Sequence, residues 1–196
     1  MGKRFLDITV ASIGLVVLAP LFVMIEILIK LDSPGPVFFK GERIGQYGKR
    51  FYILKFRSMV PNAPQLGVAI TAQDDRRITR IGKVLRKTKL DELPSLVNVL
   101  KGEMSLVGPR PESPSWVERY TPQQRAVLTI KPGITGWAQI KYRNEEKLLS
   151  TANIEAEYPR IMNDKLSMDL QYLANHSFSV DVHILLETAM AIVWRS

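Results

Sequence analysis

Cysteine is absent from all 196 residues, and histidine is scarce, with only His176 and His183. Disulfides, thiol nucleophiles, iron–sulfur clusters and cysteine-ligated zinc are therefore excluded. Two histidines placed in this way build neither an HExxH helix nor a Cys/His metal site. Any bound metal has to sit on oxygen ligands, which points to magnesium or manganese. Neither GxGxxG nor GxxxxGK[ST] occurs, so the dinucleotide and P-loop fingerprints are missing. There is no internal repeat and no low-complexity tract.

What is present is enough for one domain with a real core: 46% of residues are hydrophobic and 23% charged. Net charge is +8, and it is unevenly placed. Positions 40–101 hold 14 Lys/Arg against 5 Asp/Glu, so this stretch carries the whole positive excess. Such a field calls for an anionic partner: nucleic acid, anionic lipid headgroups or a phosphate-rich small molecule.

Residues 8–29 read ITVASIGLVVLAPLFVMIEILI, with 17 of 22 apolar. As a straight helix this run would be ~33 Å long, enough for a ~30 Å hydrocarbon core. Pro20 interrupts it, Glu26 would be costly at the bilayer centre, and Lys3, Arg4 and Lys30 place positive charge at both ends. A bent, re-entrant helix pair dipping into one leaflet satisfies all three. A straight span and a buried core helix are the alternatives. The expected division is 1–31 as membrane anchor and 32–196 as a cytoplasmic domain.

DSPGP (32–36) is a turn cluster. Two runs rich in aromatic and β-branched residues follow, PVFFKGERIG and RFYILKFRSM, separated by QYGK, and predict a β-hairpin. Positions 61–73 read as loop. Positions 79–88 predict a basic amphipathic helix, suited either to a membrane surface or to an ordinary protein surface. In LDELPSLVNVLKG, Leu93, Leu96, Val97 and Leu100 share one helix face, with Asp91 expected as N-cap and Gly102 just past the C-terminus. Arg110 lies between two prolines, and a fixed guanidinium suits bidentate phosphate binding. The stretches 104–111 and 131–137 read as rigid Pro/Gly loops, 122–130 as helical, and 180–194 as an apolar helix ending in Trp194 and Arg195, either an interfacial anchor or a core helix.

Taken together, the motifs resemble one family. Lys3-Arg4…Asp7 before a proline-broken apolar helix, KFRSM (55–59), RITRIG (77–82), LRKTKLDELPSLVNVLKGEMSLVGPRPE (85–112) and KPGITGWAQI (131–140) are similar, in order and over nearly the whole chain, to the bacterial sugar transferases, the monotopic phosphoglycosyl transferases. The resemblance implies an α+β, predominantly helical fold with a re-entrant helix-break-helix, a small β-hairpin and amphipathic interfacial helices. The chain looks like the small form of the family, without the multi-span region that large members carry ahead of the first helix. It also implies transfer of sugar-1-phosphate from a UDP-sugar to undecaprenyl phosphate at the cytoplasmic face of the bacterial inner membrane, with release of UMP. The implied catalytic dyad is Asp91, the nucleophile, and Glu92, which helps to hold Mg2+.

Further positions carry over from the family pattern. Lys55, Arg57, Arg86 and Arg110 would contact phosphate or nucleotide; Asp169 would bind substrate, and Asp181 would support the active site. Expected partners are UDP-sugar, undecaprenyl phosphate and membrane phospholipid, with no nucleic acid; the sugar and the oligomeric state stay open. Two positions depart from the common pattern: Ala19 precedes Pro20 where many members have serine, and Ser95 follows DELP where many have glutamine. Two rival functions share parts of this pattern. One is a non-catalytic basic module on a membrane. The other is a glycosyltransferase that moves the sugar alone and releases UDP.

Overall fold

The computed structural model describes residues 2–66, 70–72, 75–149 and 153–194. The chain opens with two helices, α1 (Gly2–Val17) and α2 (Ala19–Asp32), bent by 60° at Leu18. Pro20 sits in the first turn of α2, where its missing N–H costs nothing. No single helix among the described residues is long and apolar enough to cross a membrane, although the bent pair together has that length and composition.

The polarity of α1 is inverted. Its inward face carries Lys3, Asp7 and Ala11, and its outward face carries Phe5, Val10, Ile13, Val16 and Val17, with Phe5 and Val16 each 75% exposed. Asp7 is buried and accepts hydrogen bonds from Ser105 Oγ at 2.9 Å and from the Leu106 backbone N–H at 2.9 Å. Arg4 donates to the carbonyls of Val99 and Leu100 (2.6 and 3.0 Å), and Lys3 donates to the carbonyl of Val107 (3.0 Å). The two cations expected to flank a membrane segment therefore peg α1 to the rest of the protein. Arg4 also places a positive charge at a helix C-terminus, where the helix dipole favours it.

The hairpin is as expected: β1 (Phe38–Ile44) pairs antiparallel with β2 (Arg50–Phe56). Phe56 is buried between Phe22 of α2 and Phe38 of β1, at ring distances of 5.1 and 5.4 Å. Helix α3 (Arg80–Thr88) starts at the side-chain cap of Thr79, which accepts the Gly82 N–H. A 3-10 helix, Leu90–Ser95, runs into α4 (Leu96–Lys101), which Gly102 ends with φ 82°. Asn98 pins α4 to β2: its amide accepts from the Leu54 N–H (2.9 Å) and donates to the Tyr52 carbonyl (2.8 Å), as a strand neighbour would.

The two Pro/Gly stretches read as loops contain a short parallel pair, β3 (Ser105–Val107) with β4 (Gly133–Thr135). Three-residue strands are too short to show alternation. Glycine is required where they meet, because a Cβ on Gly133 would come within 2.1 Å of the Gly108 nitrogen. Around this pair lie α5 (Pro114–Val117), a 3-10 helix at Gln124–Thr129, α6 (Trp137–Lys141) and a 3-10 helix at Glu145–Leu148. The longest helix, α7 (Ile154–Asn175), and α8 (Phe178–Trp194) complete an α+β, mostly helical fold. Within the expected loop at 61–73, Ala63–Gln65 forms a 3-10 turn, while positions 67–69 and 73 lie outside the described residues, as does Arg195.

Candidate active site

The chain leaves α3 through Lys89, which adopts a left-handed conformation (φ 60°) that non-glycine residues rarely take. That reversal starts helical geometry at Leu90, so Asp91 and Glu92 lie inside the first turn of the 3-10 helix. Asp91 is therefore not the N-cap expected from the sequence; Lys89 holds that position, without a side-chain cap. The turn presents the acidic pair to a cavity of about 730 Å³, lined also by Arg43, Lys55, Arg86, Lys89 and Arg110.

The two carboxylates differ in environment. Glu92 accepts a hydrogen bond from Lys55 Nζ at 2.6 Å and from Arg110 Nη2 at 3.2 Å. Burial alone would raise its pKa, but the charges of Lys55 and Arg110 hold it well below the usual carboxylate range. Asp91 is 6% exposed, and its Oδ1 is buried with no hydrogen-bond partner among the described residues. Burial, reinforced by the Glu92 charge, pushes the Asp91 carboxyl up, against the pull of Lys55, Arg86 and Lys89. One carboxylate is thus neutralised and fixed, while the other keeps unused acceptor capacity.

The sequence-predicted residues divide by position. Lys55 and Arg110 meet at Glu92. Arg86 lines the same cavity, with Nε and Nη2 on Glu146 Oε2 at 3.2 and 3.0 Å. Arg57 reaches the cavity wall, but its guanidinium donates to the carbonyls of Ser33 and Pro34 (2.7 and 2.8 Å), clamping the turn after α2. A Cβ on Gly35 would come within 2.3 Å of that guanidinium. Asp169 is buried on α7; burial and the charge of Glu112 push it up to about 7, against the pull of Lys165 and of Arg110. Asp181 does not line the cavity: at 3% exposure it accepts from Lys3 Nζ (2.6 Å) and the Tyr172 hydroxyl (2.5 Å), tying α8 to α1.

The structure adds Arg43, Lys89, Arg143, Lys165, Glu112, Glu145 and Glu146 to the cavity wall. Lys89 was open to notice as a cation two residues before Asp91. Glu145 and Lys165 belong to a stretch without strong apolar periodicity and carried no such signal.

Among the described residues no group of three or more His, Cys, Asp or Glu converges as a metal site. Magnesium does not require one, because it uses one or two carboxylates and completes its shell with water and substrate phosphate. The orphaned Asp91 Oδ1 beside Glu92 suits such a cation.

The chain is 40% identical over 194 residues to a UDP-N-acetylgalactosamine-undecaprenyl-phosphate N-acetylgalactosaminephosphotransferase of Aeromonas hydrophila, covering 97% of this chain and 43% of that protein. It is 38% identical over 190 residues to the UDP-glucose:undecaprenyl-phosphate glucose-1-phosphate transferase of Escherichia coli K12, covering 95% of this chain and 39% of that protein. The chain thus spans about two fifths of these two relatives. The exopolysaccharide production protein PSS of Rhizobium leguminosarum bv. phaseoli is 38% identical over 200 residues, which cover 98% of this chain and 96% of that protein. A family model described as bacterial sugar transferase matches residues 1–195, and the chain belongs to that family.

Proposed function

We propose that this protein transfers sugar-1-phosphate from a UDP-sugar to undecaprenyl phosphate, releasing UMP, through a covalent phosphosugar on Asp91. The observation that carries this reading is the pairing of an unpartnered, buried Asp91 carboxylate with a cation-neutralised Glu92. A carboxylate is a competent phosphoryl nucleophile. The reaction needs charge neutralisation more than elaborate covalent chemistry. Lys55, Arg86, Lys89 and Arg110, which line the same cavity as the acidic pair, supply it.

In the first step an Asp91 carboxylate oxygen attacks the phosphorus that bears the sugar. The bond from that phosphorus to the bridging oxygen breaks, and UMP leaves with the oxygen and its electron pair. In the second step a phosphate oxygen of the lipid attacks the same phosphorus. The acyl-phosphate bond breaks and the Asp91 carboxylate is restored. Glu92 stays ionised through both steps because Lys55 and Arg110 hold its charge. A magnesium ion held by Asp91 and Glu92 would offset the charge of the donor's diphosphate.

The lipid acceptor accounts for the exposed apolar faces of the helix pair. Helix α2 exposes Val23, Met24, Ile27, Leu28 and, at 80%, Leu31. At 14 residues it is ~21 Å long, short of a ~30 Å core. We read α1–α2 as re-entrant in the cytoplasmic leaflet, in contact with phospholipid, so that the soluble donor and the lipid acceptor meet at one cavity.

The test mixes the protein, magnesium and a panel of UDP-sugars without lipid acceptor. The expected result is about one UMP per active site with the correct sugar, and a phosphosugar mass on an Asp91 peptide after acid quench. Asp91→Asn should show neither. UMP that appears only with lipid, with no trappable adduct, would replace the covalent route by direct transfer. UDP as product would point to the glycosyltransferase.

A further inference from the structure

One arm of the cavity is chemically unlike the rest. Trp116 of α5 and Tyr158 of α7 meet at a ring distance of 4.6 Å, their planes tilted by 59°. Tyr142, at the end of α6, lies across from them, and Lys165 Nζ sits 5.8 Å from the Tyr142 ring centre and 5.6 Å from that of Tyr158. Lys165 is almost fully buried and ion-paired with Glu145. Glu112 lines the same arm. None of these six residues has a part in the phosphoryl chemistry above.

We propose that this arm is the sugar subsite of the donor, and that Trp116 and Glu145 help to decide which sugar is accepted. The assignment rests on the proposed function, and two arguments carry it. The first is position. The sugar is bonded to the very phosphorus that Asp91 attacks, so its subsite has to adjoin the dyad. Arg110 makes that connection: it bonds Glu92 at 3.2 Å, lines the same cavity as Glu112, Glu145 and Tyr158, and feels the charges of Glu112 and Glu145.

The second argument is the polarity of the arm. A hexose is a plate with an apolar C–H face and a rim of hydroxyl donors. Aromatic faces cover the first, and carboxylates accept from the second. Uracil is also a plate, but it offers one N–H donor and two carbonyl acceptors. Glu112 would leave those carbonyls facing negative charge, whereas Glu145 is already paired with Lys165. An aromatic-walled arm that holds a carboxylate and a Lys–Glu pair therefore fits a polyhydroxylated ring better than the nucleobase. Lys165 supplies the donor for a ring or hydroxyl oxygen, and its pairing with Glu145 fixes both.

The experiment compares wild type, Trp116→Leu and Glu145→Gln in the UMP-release assay with the best UDP-sugar of the panel, and measures inhibition by UDP in each. UDP carries the nucleobase and the diphosphate but no sugar. The expected result is a rise of about tenfold or more in KM for UDP-sugar in both variants, with inhibition by UDP unchanged within about twofold. Variants that lose UDP inhibition in parallel with KM would place the nucleotide, not the sugar, in this arm. Variants that match wild type in both measures would show that the arm holds neither. If wild type binds UDP yet releases UMP from no UDP-sugar, the functional reading fails, and the sugar subsite with it.

Discussion

At the scale of single residues, the division of labour between neighbouring acids follows from who their partners are. Glu92 has two cations and is held ionised; Asp91 is left with an unpartnered oxygen. Asp169 adds a consequence that can be measured as stability. Burial together with the Glu112 charge pushes it up to about 7. A carboxyl raised in the folded state keeps its proton longer there than in the unfolded chain. Stability is then greatest below the ordinary carboxylate range and declines as pH rises toward about 7, by up to about 4 kcal/mol for a fully realised effect. Asp169→Asn keeps the shape of the side chain and removes the titration. Thermal melting in detergent micelles at pH 5 and pH 8 should show a wild type that is less stable at pH 8 and an Asn variant with a smaller difference. Equal pH sensitivity in the two proteins would assign the decline to other groups. Residue type alone revealed which side chains carry charge, and contiguity of the motif brought Asp91, Glu92 and Arg110 to one site. It did not reveal partners. Arg57 and Asp181 carry the charge types an active site uses, but one caps a turn and the other joins two helices.

At the scale of elements, legibility depended on whether burial produced a pattern. The hairpin and α3 were read with nearly their observed bounds, because aromatic runs around QYGK and a basic helix face are local signals. Helix α7 left no such stripe: its inward residues include Lys165 and Asp169 among Tyr158, Ile161, Met162 and Leu166. The pairing of β3 with β4 depends on backbone approach at glycines, which hydrophobic patterning does not record. Close approach also decides how α3 is placed. A Cβ on Gly82 would come within 2.0 Å of the Ser58 carbonyl oxygen, which also accepts the Thr79 N–H at 3.1 Å. Both partners are backbone, so α3 has to shift, and Arg86 shifts with it. Gly82→Ala should cost ~1–3 kcal/mol and lower the affinity for UDP. Gly2→Ala, where an added Cβ meets nothing within 4 Å, should cost nothing measurable. The pair of melting temperatures, with UDP titrations, checks this; a Gly82→Ala protein as stable as Gly2→Ala would remove the close contact as a constraint.

At the scale of the whole molecule, two facts constrain how the chain meets a bilayer. The start of α1 is fastened to the protein by Lys3, Arg4 and Asp7, and the end of α2 is fastened by Lys30 to the Gly35 carbonyl and by Asp32 to the Ile81 N–H, each at 3.0 Å. Both ends of the apolar pair are therefore held against the same body, while the outward residues around the bend, Ile13, Val16, Val17 and Val23, are each more than half exposed. A full span would put one of these fastened ends across the membrane and break its contacts. It would also strand Asp7 in hydrocarbon without Ser105, and an unpaired carboxylate there is prohibitive. The prediction is that both ends stay on one side. The chain has no cysteine, so single cysteines can be introduced without background, at Gly2 and at Lys49, the latter exposed in the hairpin turn with an ordinary backbone conformation (φ −69°). In right-side-out cells an impermeant thiol reagent should label neither position before lysis and both after it. A third cysteine at Val17, beside the bend, should resist the aqueous reagent before and after lysis and react only once detergent is added. Labelling of the Gly2 position in intact cells would establish a span. Labelling of Val17 in lysed cells without detergent would show the bend lying on the protein surface in water, and the two helices would then need a protein partner to cover them.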